Sequence, residues 1–335
     1  FNHCFIGDGK SFNAVKPGDA ASLIAETKKV EGWGKGRTFY LPNQAKLFSD
    51  GAIYSQLMQM KDGYTDGHHG AWISDPPEFD FMFQTYWDAG YQIHVHNNGD
   101  AGLDMVLASF EKAMARKPRT DHRTVLVHFG FSQPEQVAKW IKLGGIVSSN
   151  PYYVTALAGR YAKLGIGPER SANIAAHGDV VKNGGSLSFH SDMPMAPAKP
   201  MQLVWAAVTR ATAEGPVAGP QHKVPLDIAL KAVTIDAAYS IQMEKRVGSI
   251  EVGKDANLSI LEQSPYAVAP EKLKDIAVWG TMLDGRVQPV PVQTTGAAVS
   301  VPRSDTVAGD AAVALQRDVV AQLTRVLEHH HGTGH

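Results

Sequence analysis

Short apolar runs and longer amphipathic stretches alternate along the first two-thirds of the chain. The runs at 4–6, 45–48, 92–96, 124–128, 145–149 and 186–190 read as strands. Those at 92–96 and 124–128 are β-branched and unbroken, as strands buried on both faces should be. Between them, 20–29, 77–89, 101–116, 134–142, 169–183 and 200–213 carry helical periodicity. Pro134 shortly after Ser132 suits a helix start, and Gly144 with Gly145 suits a stop. Strand and helix recur every 30 to 60 residues, so the pattern predicts βα units on a parallel sheet. Six units are visible, fewer than the eight that close a barrel.

After a helical stretch at 225–239 the character changes. Short, Gly-punctuated strands at 247–254, 256–261 and 278–286 suit a small antiparallel sheet. Residues 288–310, rich in Pro, Val, Thr and Gly, read as a loop or extended edge, and 311–327 as an amphipathic helix. The domain division expected from this is 1–240, 241–300 and 301–335.

Composition narrows the function classes. A chain of 335 residues, 44% hydrophobic and 19% charged, readily builds one large core with room for a smaller domain. Lys plus Arg (32) nearly cancels Asp plus Glu (33), so no basic excess exists for a nucleic-acid backbone. No apolar run is long enough to span a membrane, and the single Cys4 excludes an intrachain disulfide. The chain starts at Phe1 with neither an initiator Met nor a signal-like stretch. A fragment or processed product is therefore expected, with the compartment open between cytoplasmic and secreted or periplasmic. Among 14 histidines, His329, His330, His331 and His335 lie in a tail resembling an affinity tag and are set aside.

The chemistry lies where polar residues meet strand ends. His96 closes one apolar run, His128 the next, and Asp192 stands just past another. At the C-terminal mouth of an α/β barrel, two imidazoles and a carboxylate match part of a zinc-type hydrolytic site. Each also has a bland reading: a strand-end His is often a hydrogen-bonded core residue, and Asp192 before Met193 and Pro194 suits a turn or cap. Lys46 sits inside an apolar strand. Either it snorkels to the surface, or burial lowers its pKa so that the free amine takes up carbon dioxide as a metal-bridging carbamate. His69 and Trp72, in a Gly/Asp-rich loop, are candidates to cover the site; Asn150, Tyr152 and His190 are candidates to line it. Arg210 either binds a substrate carboxylate or pairs with an acid.

Several motifs occur in one order: Lys46-Leu-Phe-x-Asp-Gly51, His96-x-x-Gly-Asp100, the strand-end His128, Ser191-Asp-x-Pro194, Trp205-Ala-Ala-Val-Thr-Arg210 and Gly248-Ser-Ile-Glu-Val-Gly-Lys-Asp-Ala-Asn257. Over roughly 40–290 they resemble the YtcJ-like branch of the metal-dependent amidohydrolase superfamily, amidohydrolase family 3. The resemblance implies a distorted TIM (β/α)8 barrel, within 1–240 here, and a small β-sandwich domain built from both chain ends. It implies Lys46, His96, His128 and Asp192 as ligands of one or two divalent metal ions, most suitably zinc. Asp192 would be the general base, and His128 would help polarise the scissile carbonyl.

One departure matters. The family's first-strand His-x-His pair should precede Lys46, yet residues 1–45 hold only His3. His94 and His96 cannot substitute, because they occupy the fifth-strand slot, with His94 expected off the mouth. The barrel is thus expected to lack its first strands in this chain, with a separate N-terminal polypeptide as partner. Asn257 in Asp255-Ala-Asn257 also departs from the family's Ala-Asp, at a position expected to be harmless. The expected activity is hydrolysis of an amide or other C–N bond of a small molecule, by a chain that also self-associates. The rival is a non-catalytic regulatory or binding protein that keeps an incomplete barrel. A phosphate-binding barrel is disfavoured, since no Gly-rich loop opens a late helix.

Overall fold

The computed structural model describes residues 18–290 except 32, 36 and 37. All described residues belong to one compact unit that ends at Val290. The strand expected at 4–6 and the helix at 311–327 lie outside the described residues.

Helix α1 (Ala20–Val30), capped by the Asp19 carboxylate on Ser22 N, leads into the short antiparallel pair β1 (Gly34–Lys35) and β2 (Thr38–Phe39). The βα units follow: β3 (Gln44–Phe48), α2 (Pro76–Asp88), β4 (Gln92–Asn97), α3 (Asp100–Arg116), β5 (Val125–His128), α4 (Pro134–Lys142) and β6 (Ile146–Ser149). After a π turn at Val154–Ala158 come α5 (Gly159–Leu164), α6 (Gly167–Ser171), α7 (His177–Lys182) and β7 (Leu187–Phe189). Then come α8 (Pro200–Thr209), α9 (Leu226–Ala232) and α10 (Ile235–Ser240). The α/β reading holds: β3 to β7 form one parallel sheet of five strands in sequence order. Strands β4 and β5 are buried along their whole length. Helix α4 starts with Pro134 behind a Gln133–Gln136 capping box and stops at Gly144, whose φ of 85° a side chain would oppose.

The main core lies between sheet and helices, where Leu47, Ile93, Val95, Leu126 and Val147 meet Phe83, Trp87, Phe110 and Trp140. A second apolar cluster caps the C-terminal end of the sheet. It is built from segments that follow the strands and includes Ile53, Met58, Phe131, Tyr153, Val154 and Tyr161. The small antiparallel sheet, β8 (Leu258–Leu261), β9 (Val278–Leu283) and β10 (Arg286–Pro289), has the order β10-β9-β8. Among the described residues it is a single layer. Leu273 and Ile276, in the stretch expected as a separate domain, are buried in the main core. No described helix is long and apolar enough to cross a membrane.

Five expected elements differ. The strand at 278–286 is a hairpin, because Asp284 and Gly285 take φ of 48° and 76° between β9 and β10. The strand at 247–254 is a series of turns, because Gly248 and Gly253 take φ of 97° and 94°. The helix at 169–183 breaks into α6 and α7 around Ala175, whose φ is 49°. The helix at 200–213 stops at Thr209 because Arg210 turns left-handed at φ 54°. The helix at 225–239 divides into α9 and α10 at Val233–Thr234. The π turn and α5 were not foreseen: their apolar residues show no clear period, and they fold against the loop after β3.

Candidate active site

Strand alternation and register account for most of the site. Lys46 faces His94 across the β3–β4 ladder, and Phe48 faces His96 two pairs further toward the mouth. On β5, Leu126 joins the main core while Val125 and Val127 join another cluster. Continued alternation would send His128 toward the helices. Instead its backbone turns to φ 78°, followed by Phe129 at 55°, and its ring comes to lie 4.4 Å, centroid to centroid, from that of His96. A non-glycine residue at such φ is costly and persists where its surroundings demand it. Asp192, past β7, also takes a left-handed φ of 55°.

Four imidazoles answer to the Lys46 side chain. Burial pushes His94, His96 and His190 down to about 3, and His128 well below its usual value. The Lys46 ammonium adds to this in each case, after burial and, for His128, after His96. These rings are therefore neutral at pH 7, the form that binds a metal. Burial raises the Asp192 carboxyl, and the Lys46 ammonium pulls it back. Lys46 itself is only partly buried, its Nζ 5.7 Å from the Phe48 ring centroid. Around His128 Nδ1 stand Tyr153 Oη and His190 Nε2, each at 3.2 Å, and Asp192 Oδ2 at 3.9 Å.

The acids of the two strand-end motifs work on the scaffold. Asp50, fully buried, accepts from Ser49 Oγ (2.8 Å), Asn98 N (2.9 Å), Asn97 Nδ2 (3.3 Å), Gly99 N (2.7 Å) and Gln59 N (2.9 Å). It thereby ties the ends of β3 and β4 to the loop carrying His69 and Trp72. Burial still pushes its pKa up to about 6. Gly99 is required in that turn: a Cβ there would lie 2.1 Å from the Gln59 carbonyl oxygen. Asp100 accepts from Lys61 N (3.0 Å) and Gln133 Nε2 (3.1 Å), fastening the same loop to α4.

The remaining candidates separate. His190 joins the cluster, its Nδ1 3.0 Å from Ser148 Oγ. Asn150 staples the end of β6 to the Asp192 loop by donating to Ser191 O (3.2 Å). Tyr152, whose N–H donates to Asn150 Oδ1, packs on the main core, while its neighbour Tyr153 reaches His128. His69 is held to Met60 O (2.9 Å), and Trp72 can donate from Nε1 to the Gln59 amide (3.2 Å), so both are placed by their own loop. His94 turns to Gln44 Oε1 (3.1 Å), away from the cluster. Arg210 requires a correction. It is fully buried and donates to the carbonyls of Ala218, Ala175, Ala172 and Ile174, so its guanidinium is committed to backbone and unavailable to a carboxylate.

Among the described residues, no three His, Cys, Asp or Glu side chains converge to enclose a cation. The donor chemistry nevertheless fits one. Neutral His96 and His128 lie side by side, Asp192 is close to His128, and the Lys46 ammonium acts electrostatically on all three. They supply part of a coordination shell.

The amidohydrolase family model matches residues 12–288. The chain is 27% identical over 241 residues to an N-substituted formamide deformylase of Arthrobacter pascens, covering 72% of this chain and 44% of that protein. It is 25% identical over 247 residues to the amidohydrolase YtcJ of Bacillus subtilis (strain 168), covering 72% and 46%. It is also 27% identical over 271 residues to LONG AFTER FAR-RED 3 of Arabidopsis thaliana, covering 79% and 46%. The chain thus spans a little under half the length of these relatives. Its fold matches that of an uncharacterized metal-dependent hydrolase from Pyrococcus horikoshii, with a TM-score of 0.62 at 22% identity over 76% of this chain and 50% of that one.

Proposed function

Since the chain belongs to the amidohydrolase family, we propose that it acts as a metal-dependent hydrolase of an amide or other C–N bond, with its chemistry at the C-terminal mouth of the parallel sheet. The supporting observation is the meeting there of His96, His128 and Asp192, from three separate strand ends, around the reach of Lys46. His96, His128 and a carbamylated Lys46 would hold one divalent cation, most suitably zinc, and Asp192 would face a second. Such a cation supplies Lewis acidity that lowers the pKa of water from 15.7 toward about 7 and polarises a carbonyl.

The protein's own residues do the rest. Asp192 accepts a proton from the attacking water and delivers it to the leaving nitrogen. Its partial exposure leaves room for a substrate on that side. His190 contacts His128 on this side, and His69 and Trp72, on the loop after β3, would cover the site. A separate segment, equivalent to the half of the relatives that this chain does not span, would bring the first-strand His-x-His pair. Because one relative is named as an N-substituted formamide deformylase, N-substituted formamides are the first substrates to try.

The test is Lys46→Ala with zinc and an N-substituted formamide. Activity should be lost and partly restored by a short carboxylic acid, whose carboxylate occupies the place of the carbamate, while Lys46→Arg stays inactive. Full activity in Lys46→Ala without added acid would remove the carbamate from the reading. The rival, a non-catalytic binding protein, is favoured by the absence of a three-ligand cluster among the described residues. Failure of zinc-loaded protein to cleave any amide, alone or with the complementary segment, would decide for it.

A further inference from the structure

The loop after β3 doubles back on itself. Tyr64 N donates to His68 O at 2.7 Å, and Met60 N donates to His69 O at 2.9 Å. His68 closes the loop through both ring nitrogens. Its Nδ1 lies 2.6 Å from Asp66 Oδ1, and its Nε2 lies 2.7 Å from Gln56 O. A backbone carbonyl only accepts, and so does an ionised carboxylate. Asp66 is exposed, and its hydrogen bonds from His68 hold its carboxyl below the usual carboxylate range. A neutral imidazole has one N–H and can serve one of these acceptors. Only the imidazolium serves both.

The neighbours bring no competing partner to the ring. Tyr64 stacks flat on it, 4.1 Å between centroids at 4°, and burial pushes the Tyr64 phenol up, so it is neutral. From α5, Tyr161 donates to Ile53 O. From α6, Arg170 donates to Gly63 O (2.7 Å) and Ile166 O (2.9 Å). Gln56 itself is held at a left-handed φ of 55°, a conformation that costs a non-glycine residue and persists under tertiary constraint.

We infer that His68 is a pH-sensitive latch on the loop after β3: as imidazolium it bridges Gln56 O and Asp66, and on losing its proton it releases one of them. The Gln56 carbonyl, the largest cause, and Asp66 together raise the His68 pKa above its ordinary 6.5, against partial burial. The latch is therefore fully closed below about 6.5 and is lost as pH rises through the higher folded value. His69 follows directly, so release reaches the part of the loop proposed to cover the site. The bridge itself does not depend on that proposal.

The experiment is nuclear magnetic resonance of the 15N-labelled full chain from about pH 5 to about 9, with His68 assigned through His68→Gln. The His68 midpoint should lie above 6.5, with protons on both ring nitrogens below it. Asp66→Asn should move the midpoint down. Amide-exchange protection at Tyr64 and Met60, corrected for the intrinsic rate, should fall as pH passes the wild-type midpoint. The fall should be about tenfold for each unit by which that midpoint exceeds the midpoint of the open loop. Asp66→Asn should flatten this fall, and the buried amides of β4 should show none. A wild-type midpoint at or below 6.5, or protection at Tyr64 that does not change across it, would overturn the inference.

Discussion

His94 and His96 lie two residues apart on β4 and point to the same side of the sheet, yet they meet different surroundings. His94 looks toward the lower end, where polar groups close on one another. It contacts Gln44 Oε1; Gln44 donates to Ile241 O, Gln92 donates to Ser240 O and Arg123 O, and Arg123 pairs with Glu244 at 2.9 Å. His96 looks toward the mouth, where His128, His190 and Asp192 gather and backbones at His128 and Asp192 are left-handed. One end of the sheet spends its polar groups on holding segment 239–244 in place. The other gathers imidazoles at the mouth, with His96 Nε2 3.2 Å from Asn98 Nδ2 and His190 Nε2 3.2 Å from His128 Nδ1. Residue type alone does not separate the two, and their neighbours do.

The sharpest way to break this comparison is to remove each ring in turn. His96→Ala should lower zinc affinity by at least about 100-fold and abolish hydrolysis. His94→Ala should leave zinc binding intact and cost stability of about 1–3 kcal/mol, since a buried Gln44 loses its partner. Zinc titration and denaturant unfolding of the two variants read this directly, and equal zinc loss in both would erase the distinction.

Next in size is Arg210. Burial lowers its pKa to about 9, and the guanidinium still serves four backbone carbonyls. Arg210→Met should therefore cost about 3 kcal/mol in unfolding measurements. The KM of the folded fraction should not change. Normal stability with a raised KM for a carboxylate substrate would restore the binding role expected from sequence.

The pH dependence comes from Asp50. Its folded pKa of about 6 lies above the ordinary 3.8, so between those values the folded state binds more protons than the unfolded one. Its contribution to stability is fully present below about 3.8, is lost as pH rises through about 6, and amounts to about 3 kcal/mol. Asp50→Asn should be less stable throughout but lack this term. The wild-type advantage should then widen as pH falls from 7 to 4. A constant difference would show that the five donors around Asp50 keep it ionised.

Much of this was legible in the sequence. The five parallel strands fall within a residue or two of the apolar runs, because a strand buried on both faces is rich in β-branched and apolar residues. His96 and His128 are marked as candidates by closing two of those runs, and Asp192 by standing just past another. Lys46 was found as a charge inside one. What the pattern hid depends on tertiary contact. Arg210 looks like a surface arginine until the loop it clamps is folded beneath it. Tyr152 and Tyr153 are equivalent in sequence, and only the Asn150 turn and the π turn after it decide which ring faces His128. The helix at 169–183 reads as continuous because its break at Ala175 is imposed by Arg210 and by Gly130 O, and not by Gly178, which lies inside α7.

The central claim is that the mouth of the sheet holds a divalent cation through His96 and His128. Diffraction from zinc-soaked crystals at the zinc absorption edge tests it most directly. An anomalous peak within about 2.0–2.1 Å of a ring nitrogen of both histidines is the expected result. No peak there, or a zinc ion bound elsewhere with both rings unliganded, would contradict it.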